Sequence, residues 1–234
     1  MSMPKPDPLA DLPWPKPEAP GEAVSAKICG ACTKDLCRKR GMSALSRLTL
    51  CVAVSGLVAS FGYWFGLRHH RSELGLRLGL YGALVWGLVQ AAVLFLGFAP
   101  RRGLLGSRSV RVALAVLVPV LFLGYLSYAA WTYVPFEQFS QGPRASHAFF
   151  CGLIALGFGA IVGGSVLLAW RGTDPITPRL SGTLAGFVGG VGGALAVGIG
   201  CPSHEAWHLW TAHGVIVLAL GLLGFGVGRR LLSP

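Results

Sequence analysis

A thiol and two imidazoles lie close together near the end of the chain, at Cys201, His204 and His208. His204 and His208 are four residues apart and would share one face of a helix. Thiolates and imidazoles are ligands of zinc and other soft metal ions, and thiols also carry redox chemistry. The spacing therefore predicts a site for a soft ion at these three residues. The alternative is that the histidines are polar residues of a membrane interface, where they contact water and bind no ion.

The elements that position these residues are long apolar runs. The chain is 53% hydrophobic and only 12% charged, with a mean hydropathy of +0.61, whereas soluble domains are about a quarter charged. A helix needs about 20 apolar residues to cross a bilayer. Six such runs occur, at roughly 48–67, 78–99, 110–134, 147–170, 180–200 and 207–228. The pattern predicts an all-α polytopic membrane protein with six transmembrane helices.

The basic residues predict how the chain is oriented in the membrane. If the N-terminus is cytoplasmic, all but four of the 20 Lys and Arg residues fall on the cytoplasmic side; the four exceptions are Arg68, Arg71, Arg77 and Arg144. Cytoplasmic loops carry an excess of Lys and Arg, so both termini of this multi-pass protein are predicted to be cytoplasmic. The net charge of +11 is explained in this way. Direct nucleic-acid binding is not predicted, because no recognition module accompanies the charge.

A second thiol is predicted at the same depth as Cys201. Cys151 lies about one turn into the fourth span from its outer end, and Cys201 ends the fifth span at that same rim. Disulfides form and persist outside the cytoplasm. The pair could close on oxidation or capture a soft ion, and the alternative is two buried thiols that pack as apolar groups. On the sixth span, His213 falls on the face opposite His204 and is predicted to pack inside the bundle.

The polar N-terminal tail divides into two predicted parts. Residues 1–23 form a proline-rich disordered tether, and 24–47 could form a helix that runs into the membrane domain, 48–234. The second part contains Cys29, Cys32 and Cys37. Three thiolates lack the fourth ligand of a structural zinc. A metal site completed by another group, a redox dithiol and small apolar residues on a partner-binding helix all remain open.

Few other residues carry chemistry. None of the nine Asp and Glu residues lies in a predicted span, although ion-coupled carriers usually place a carboxylate at membrane depth. No Walker-type loop or Ser-His-Asp arrangement is present, and an enzyme is not predicted. In the fifth span Gly182, Gly186 and Gly190 are four apart, and small residues at this spacing predict close packing of the helix. Two alternatives for function remain: a membrane metal-binding enzyme or carrier that uses the outer histidines, and a structural subunit whose glycine-rich fifth span packs against a larger partner.

The C-terminal third resembles a known family. Pro178-Arg179-Leu180-Ser181-Gly182 leads into a Gly/Ala-rich span, Cys201-Pro202 follows it, and Arg229-Arg230-Leu231-Leu232 closes the chain. This pattern is similar to the NrsF-like family of six-span bacterial anti-sigma factors. The histidine-rich loop after Cys201 and the three-cysteine tail depart from the family pattern.

The resemblance implies a function and roles for particular residues. An extracytoplasmic-function sigma factor would be held at the bacterial inner membrane by residues 24–47 and released under oxidative or metal stress. Cys201, by its motif, and Cys151, by its position, would be the sensing residues on the outer side. The partner-binding residues would be in the tail; those singled out are Cys29, Cys32, Cys37, Arg38 and Arg40.

Overall fold

The computed structural model describes residues 22, 24–27, 30, 42–69, 73–98, 104–133, 145–174, 176–199, 201 and 205–233. The chain divides into two units, Met1–Gly41 and Met42–Pro234. In the first unit the described positions, 22, 24–27 and 30, are helical. The tail residues singled out above lie outside the described residues: Cys29, Cys32, Cys37, Arg38 and Arg40.

The second unit is a bundle of long helices. In chain order they are α1 (Ala44–His69), α2 (Glu73–Phe98), α3 (Leu104–Tyr133), α4 (Ala145–Ala169), α5 (Pro178–Gly198), α6 (Ala206–His208), a π-helical segment (Leu209–Gly214) and α7 (Val215–Leu232). The last three elements together form one membrane-spanning helix, Ala206–Leu232, which we call span six. Among the described residues, six helices are long and apolar enough to cross a membrane. Of these residues 92% are helical and none lies in a strand, which confirms the predicted all-α, six-span fold.

The helix bounds follow from local chemistry. α5, the shortest of the first five, has 21 residues and is therefore about 32 Å long, enough for a hydrocarbon core of about 30 Å. It begins at Pro178, where the missing N–H costs no intrahelical hydrogen bond. α7 ends with Arg229 and Arg230 in its last turn, where positive charge is favourable to the helix dipole.

α5 lies at the centre of the bundle, and 78% of its apolar stretch is buried. On one side its glycines allow span six to approach closely. A Cβ on Gly186 would strike the carbonyl oxygen of Leu220, and one on Gly190 would lie 2.6 Å from the Cα of Val217. Even an alanine at either position would therefore force the backbones apart. This edge of α5 is the tight helix–helix contact that the glycine spacing predicts.

A neighbouring edge of α5 packs as closely against α4. A Cβ on Gly189 would lie 2.8 Å from the backbone nitrogen of Gly163, and one on Gly193 would strike the carbonyl oxygen of Ala155. Because α5 contacts α4 and span six through backbone atoms, these three helices form a unit with little space between them. Groups on their facing sides are therefore held close to the neighbouring helix.

Candidate functional site

Three buried side chains from three spans meet at one end of the bundle. Cys151 lies in the second turn of α4, Cys201 follows α5, and His208 is at the start of span six. Their two sulfur atoms and one imidazole nitrogen all lie within 4.8 Å of one another. The Sγ of Cys201 and the Nε2 of His208 are 3.0 Å apart. We call these three residues the thiol cluster, and the end of the bundle that carries them the thiol end.

Local backbone structure places Cys201 in the cluster. α5 ends at Gly198, and the N–H of Cys201 donates a hydrogen bond of 3.3 Å to the Gly198 carbonyl. The chain therefore turns tightly after the helix and holds the thiol beside the end of α5. Cys151 reaches the same depth because α4 runs antiparallel to α5 and begins at this end. The prediction that the two thiols share one depth is confirmed.

A π-helical segment positions the two histidines of span six. His208 immediately precedes Leu209–Gly214, and His213 lies within that segment. In an ordinary α-helix, residues five apart point about 140° away from each other. The wider turn of a π-helix, with its i→i+5 hydrogen bonds, places such residues closer to the same side of the helix. The centres of the two imidazole rings are 5.7 Å apart, and the ring planes are 57° from parallel. Both histidines are 1% exposed, which confirms that His213 packs inside the bundle.

Apart from His213, whose ring lies beside that of His208, the thiol cluster has apolar surroundings. Cys151 and Cys201 belong to a small core cluster with Ala148 and Ala212, against which Val197 packs. Two sulfur donors and one imidazole fit zinc or another soft ion, and they are a poor match for magnesium or calcium, which prefer oxygen. The residues present therefore fit the predicted kind of ion. The ligand set differs from the predicted one in that Cys151 joins Cys201 and His208, while His204 lies outside the described residues.

A second polar cluster lies at the opposite end of the same helices. The Nη1 of Arg111, on α3, is 2.5 Å from the Oδ2 of Asp174, in the loop between α4 and α5. The same nitrogen donates to the hydroxyl oxygens of Thr177 and Ser181 at 2.8 Å each. The Nε of Arg111 donates to the Gly97 carbonyl of α2 at 2.9 Å. One guanidinium therefore joins α2, α3, the loop and α5.

The carboxylate of Asp174 is fully engaged. Its Oδ1 accepts hydrogen bonds from the backbone N–H groups of Ile176 and Thr177, and its Oδ2 accepts one from the Ser181 hydroxyl. Burial alone would raise the pKa of Asp174. The hydrogen bonds from Ser181 and Thr177, together with the charge of Arg111, outweigh burial, so the pKa lies below its ordinary value. The group is a stable carboxylate at neutral pH.

The loop between α4 and α5 also forms backbone hydrogen bonds with the end of span six. The N–H of Gly172 donates to the Leu231 carbonyl at 2.9 Å, and the N–H of Asp174 donates to the Leu232 carbonyl at 3.0 Å. Gly172 has a φ of 66°, a left-handed conformation that glycine adopts without strain. These bonds satisfy two carbonyls at the end of α7 that have no partner within that helix. We call Arg111, Asp174, Thr177 and Ser181 the polar joint.

The comparison with known families is decisive for the class of protein. The family described as "negative regulator of sigma F", NrsF, matches residues 34–233. The chain belongs to the NrsF family. The match covers all six spans, the thiol cluster and the polar joint. No curated protein and no solved structure matches the chain.

Family membership establishes the general activity of this NrsF protein as negative regulation of a sigma factor. The match also includes the end of the tail, with Cys37, Arg38 and Arg40, and begins after Cys29 and Cys32. The roles assigned to these tail residues stay predictions. The polar joint is the part of this NrsF protein that sequence reasoning missed. Its only signal was an aspartate directly before Pro175 and a helix start, together with an arginine at the edge of the third span.

Proposed function

We propose that this NrsF protein is a membrane-bound anti-sigma factor that holds an extracytoplasmic-function sigma factor through residues 24–47. It releases the sigma factor when Cys151 and Cys201 react with an oxidant or a metal ion. The observation that carries the proposal is the closeness of the two thiols. They come from different spans and lie within 4.8 Å of each other and of His208, so reaction at one end of the bundle changes how two spans are joined.

The charge pattern supports the orientation that this function requires. The excess of Lys and Arg predicts cytoplasmic termini in an inner membrane, and this orientation exposes the thiol end to the outside. A disulfide can persist there. From Cys151 to Ala169, where α4 ends, the helix rises by about 27 Å, roughly the thickness of the hydrocarbon core. The thiol end and the polar joint are thus assigned to opposite faces of the membrane.

Oxidation of the pair is chemically simple. Two thiols lose two protons and two electrons to a peroxide, which is reduced, and the Sγ atoms of Cys151 and Cys201 become a disulfide. Reversing a bound population from 99:1 to 1:99 requires about 5.5 kcal/mol of preference for the releasing state. A disulfide typically contributes about 2–4 kcal/mol and metal coordination can contribute more. The free energy available from thiol chemistry is therefore of the right order, and repacking of the spans supplies the remainder.

The test uses the full-length protein. Wild type and the Cys151→Ser, Cys201→Ser and double variants are expressed with a reporter of sigma-dependent transcription and exposed to peroxide or cadmium. Cys51→Ser is the matched control, because Cys51 is also a buried thiol, in a different part of the core. We expect induction in wild type and in the control, and none in the double variant. Co-purification of the sigma factor with wild type before stress, and its loss afterwards, completes the test. Induction that is unchanged in the double variant would contradict the sensing mechanism.

A further inference from the structure

We propose that the thiol cluster is a binding site for one thiophilic divalent cation of the zinc group, with Cys151, Cys201 and His208 as its three protein ligands. The binding site stands on geometry alone, whereas its use as a stimulus rests on the function proposed above. Relative to the thiol pair of the proposed function, the added residue is His208. A disulfide would involve only the two cysteines, and this site also requires the histidine.

The donor atoms are close to the arrangement that such an ion needs. With metal–sulfur bonds of about 2.3 Å and metal–nitrogen bonds of about 2.0–2.1 Å, neighbouring ligand atoms in a tetrahedral site lie about 3.5–3.8 Å apart. The donors of Cys151, Cys201 and His208 lie within 4.8 Å of one another, and the Cys201–His208 distance is 3.0 Å. Shifts of about 1 Å or less would complete the geometry. Such shifts are within the range of side-chain motion.

Charge balance selects the class of cation. Binding displaces the two thiol protons to solvent, so that two thiolates and a neutral imidazole surround the ion. A divalent cation in this ligand set forms a site with no net charge, which suits the apolar surroundings of Ala148, Ala212 and Val197. A monovalent ion would reach the same balance only if one of the two thiols stayed protonated, and a protonated thiol is a poor metal ligand. The three ligands also leave a fourth coordination position, which water or another donor can occupy.

The ion would connect more of the bundle than a disulfide does. A Cys151–Cys201 disulfide joins α4 to the end of α5 only. Through His208 the ion also ties the start of span six, at the π-helical segment, to the other two helices. The metal site and the disulfide therefore share the two cysteines, and only the metal site uses His208. A substitution of His208 alone thus separates the two stimuli.

The test measures binding to the purified full-length protein in detergent, kept reduced. All variants carry Cys29→Ser, Cys32→Ser and Cys37→Ser, so that the tail thiols do not contribute. Cobalt(II) is the probe, because thiolate ligands give it charge-transfer absorption, and zinc or cadmium is then added to displace it. We expect one cobalt per chain in this parent protein and in the Cys51→Ser control. Affinity should fall by about 100-fold or more in Cys151→Ser, Cys201→Ser and His208→Ala, since even outer-shell changes cost about 10–100-fold.

Two further variants keep the result interpretable. His208→Gln tests a side chain of similar polarity that is a poor metal ligand, and His208→Cys restores a ligand at the same position and should recover cobalt binding. His208→Ala should still form the Cys151–Cys201 disulfide with peroxide, which mass spectrometry detects. Cobalt binding that is unchanged in His208→Ala and His208→Gln would overturn the three-ligand site. If the parent binds no cobalt but the cysteine variants still lose induction by peroxide, this inference fails and the proposed function stands.

Discussion

Arg111 and Asp174 form an ion pair of 2.5 Å at the end of the bundle opposite the thiol cluster. The two ends are connected by α5, which begins four residues after Asp174 and ends three residues before Cys201. Arg111 also bonds Ser181 in the first turn of α5, so one end of this helix is fixed to α2, α3 and span six. Its other end leads to Cys201, the thiol proposed above to sense oxidants or metals. If that proposal holds, the polar joint is the fixed end of α5 and the thiol end is the end that moves.

The first prediction concerns the contribution of the ion pair to stability. Asp174→Ala would leave a partly buried guanidinium without its carboxylate and would remove the acceptor for Ser181 and two backbone N–H groups. Breaking a buried pair costs about 3–5 kcal/mol. The side chains here are 16% and 11% exposed, so we expect a loss of about 2–3 kcal/mol. Thermal unfolding in detergent, followed by tryptophan fluorescence, measures it. Glu205→Ala, an acidic residue near the thiol end, serves as the control and should change little.

The second prediction is a dependence of stability on acid. The pKa of Asp174 is lower in the folded protein than its ordinary value of 3.8, so the unfolded chain takes up this proton first as the pH falls. The carboxylate therefore stabilises the fold fully above about pH 4, and this contribution is lost as the pH falls through the folded pKa. The difference in melting temperature between wild type and Asp174→Asn should be constant near neutrality and shrink below about pH 4. A difference that stays constant down to pH 3 would contradict this assignment.

Sequence patterns predicted much of the fold, because run length alone identifies a membrane span. The glycines of α5 indicated close packing, since their spacing places them on neighbouring faces of one helix. The closeness of Cys151 and Cys201 followed from the alternating direction of the spans. In each case one physical rule, applied locally, was enough.

The details that escaped prediction depend on contacts between distant residues or on irregular backbone. The π-helical segment brings His208 and His213 together, and nothing in the apolar pattern of span six distinguishes it from a regular helix. Arg111 and Asp174 are 63 residues apart, and each alone is an ordinary charged residue near the end of a span. Only the packing of α3 beside the start of α5 makes them partners.

The third prediction compares two glycines of α7. A Cβ on Gly224 would strike the Gly182 carbonyl oxygen, whereas one on Gly226 would meet nothing within 4 Å. Gly224→Ala should therefore force α5 and span six apart and cost about 1–3 kcal/mol. Gly226→Ala should be neutral or slightly stabilising, because alanine favours helix. Melting temperatures of the two variants in the same detergent decide the matter. Equal values would show that close backbone packing does not stabilise this pair of helices.

The fourth prediction concerns the point where the tail enters the membrane domain. The guanidinium carbon of Arg47 lies 5.4 Å from the centre of the Trp170 ring, and Trp170 also packs against Phe98. Arg47 is the last residue of the segment proposed to hold the sigma factor, and Trp170 follows α4, which carries Cys151 near its other end. A cation–π contact of this kind contributes about 0.5–2 kcal/mol. The contact joins the first turn of α1 to the end of α4.

A double-mutant cycle with Arg47→Gln and Trp170→Leu measures this contact. We expect a coupling free energy of about 0.5–1 kcal/mol, at the lower end of the range for cation–π contacts. We also expect raised sigma-dependent transcription without stress in Arg47→Gln, because the start of α1 is no longer joined to the end of α4. The matched control is Arg179→Gln, since Arg179 lies 5.2 Å from the centre of the Phe225 ring and is far from the tail in sequence. Its stability should fall by a similar amount while the reporter stays silent. If both substitutions raise transcription equally, general loosening of the bundle causes release, and Arg47 has no special part in it.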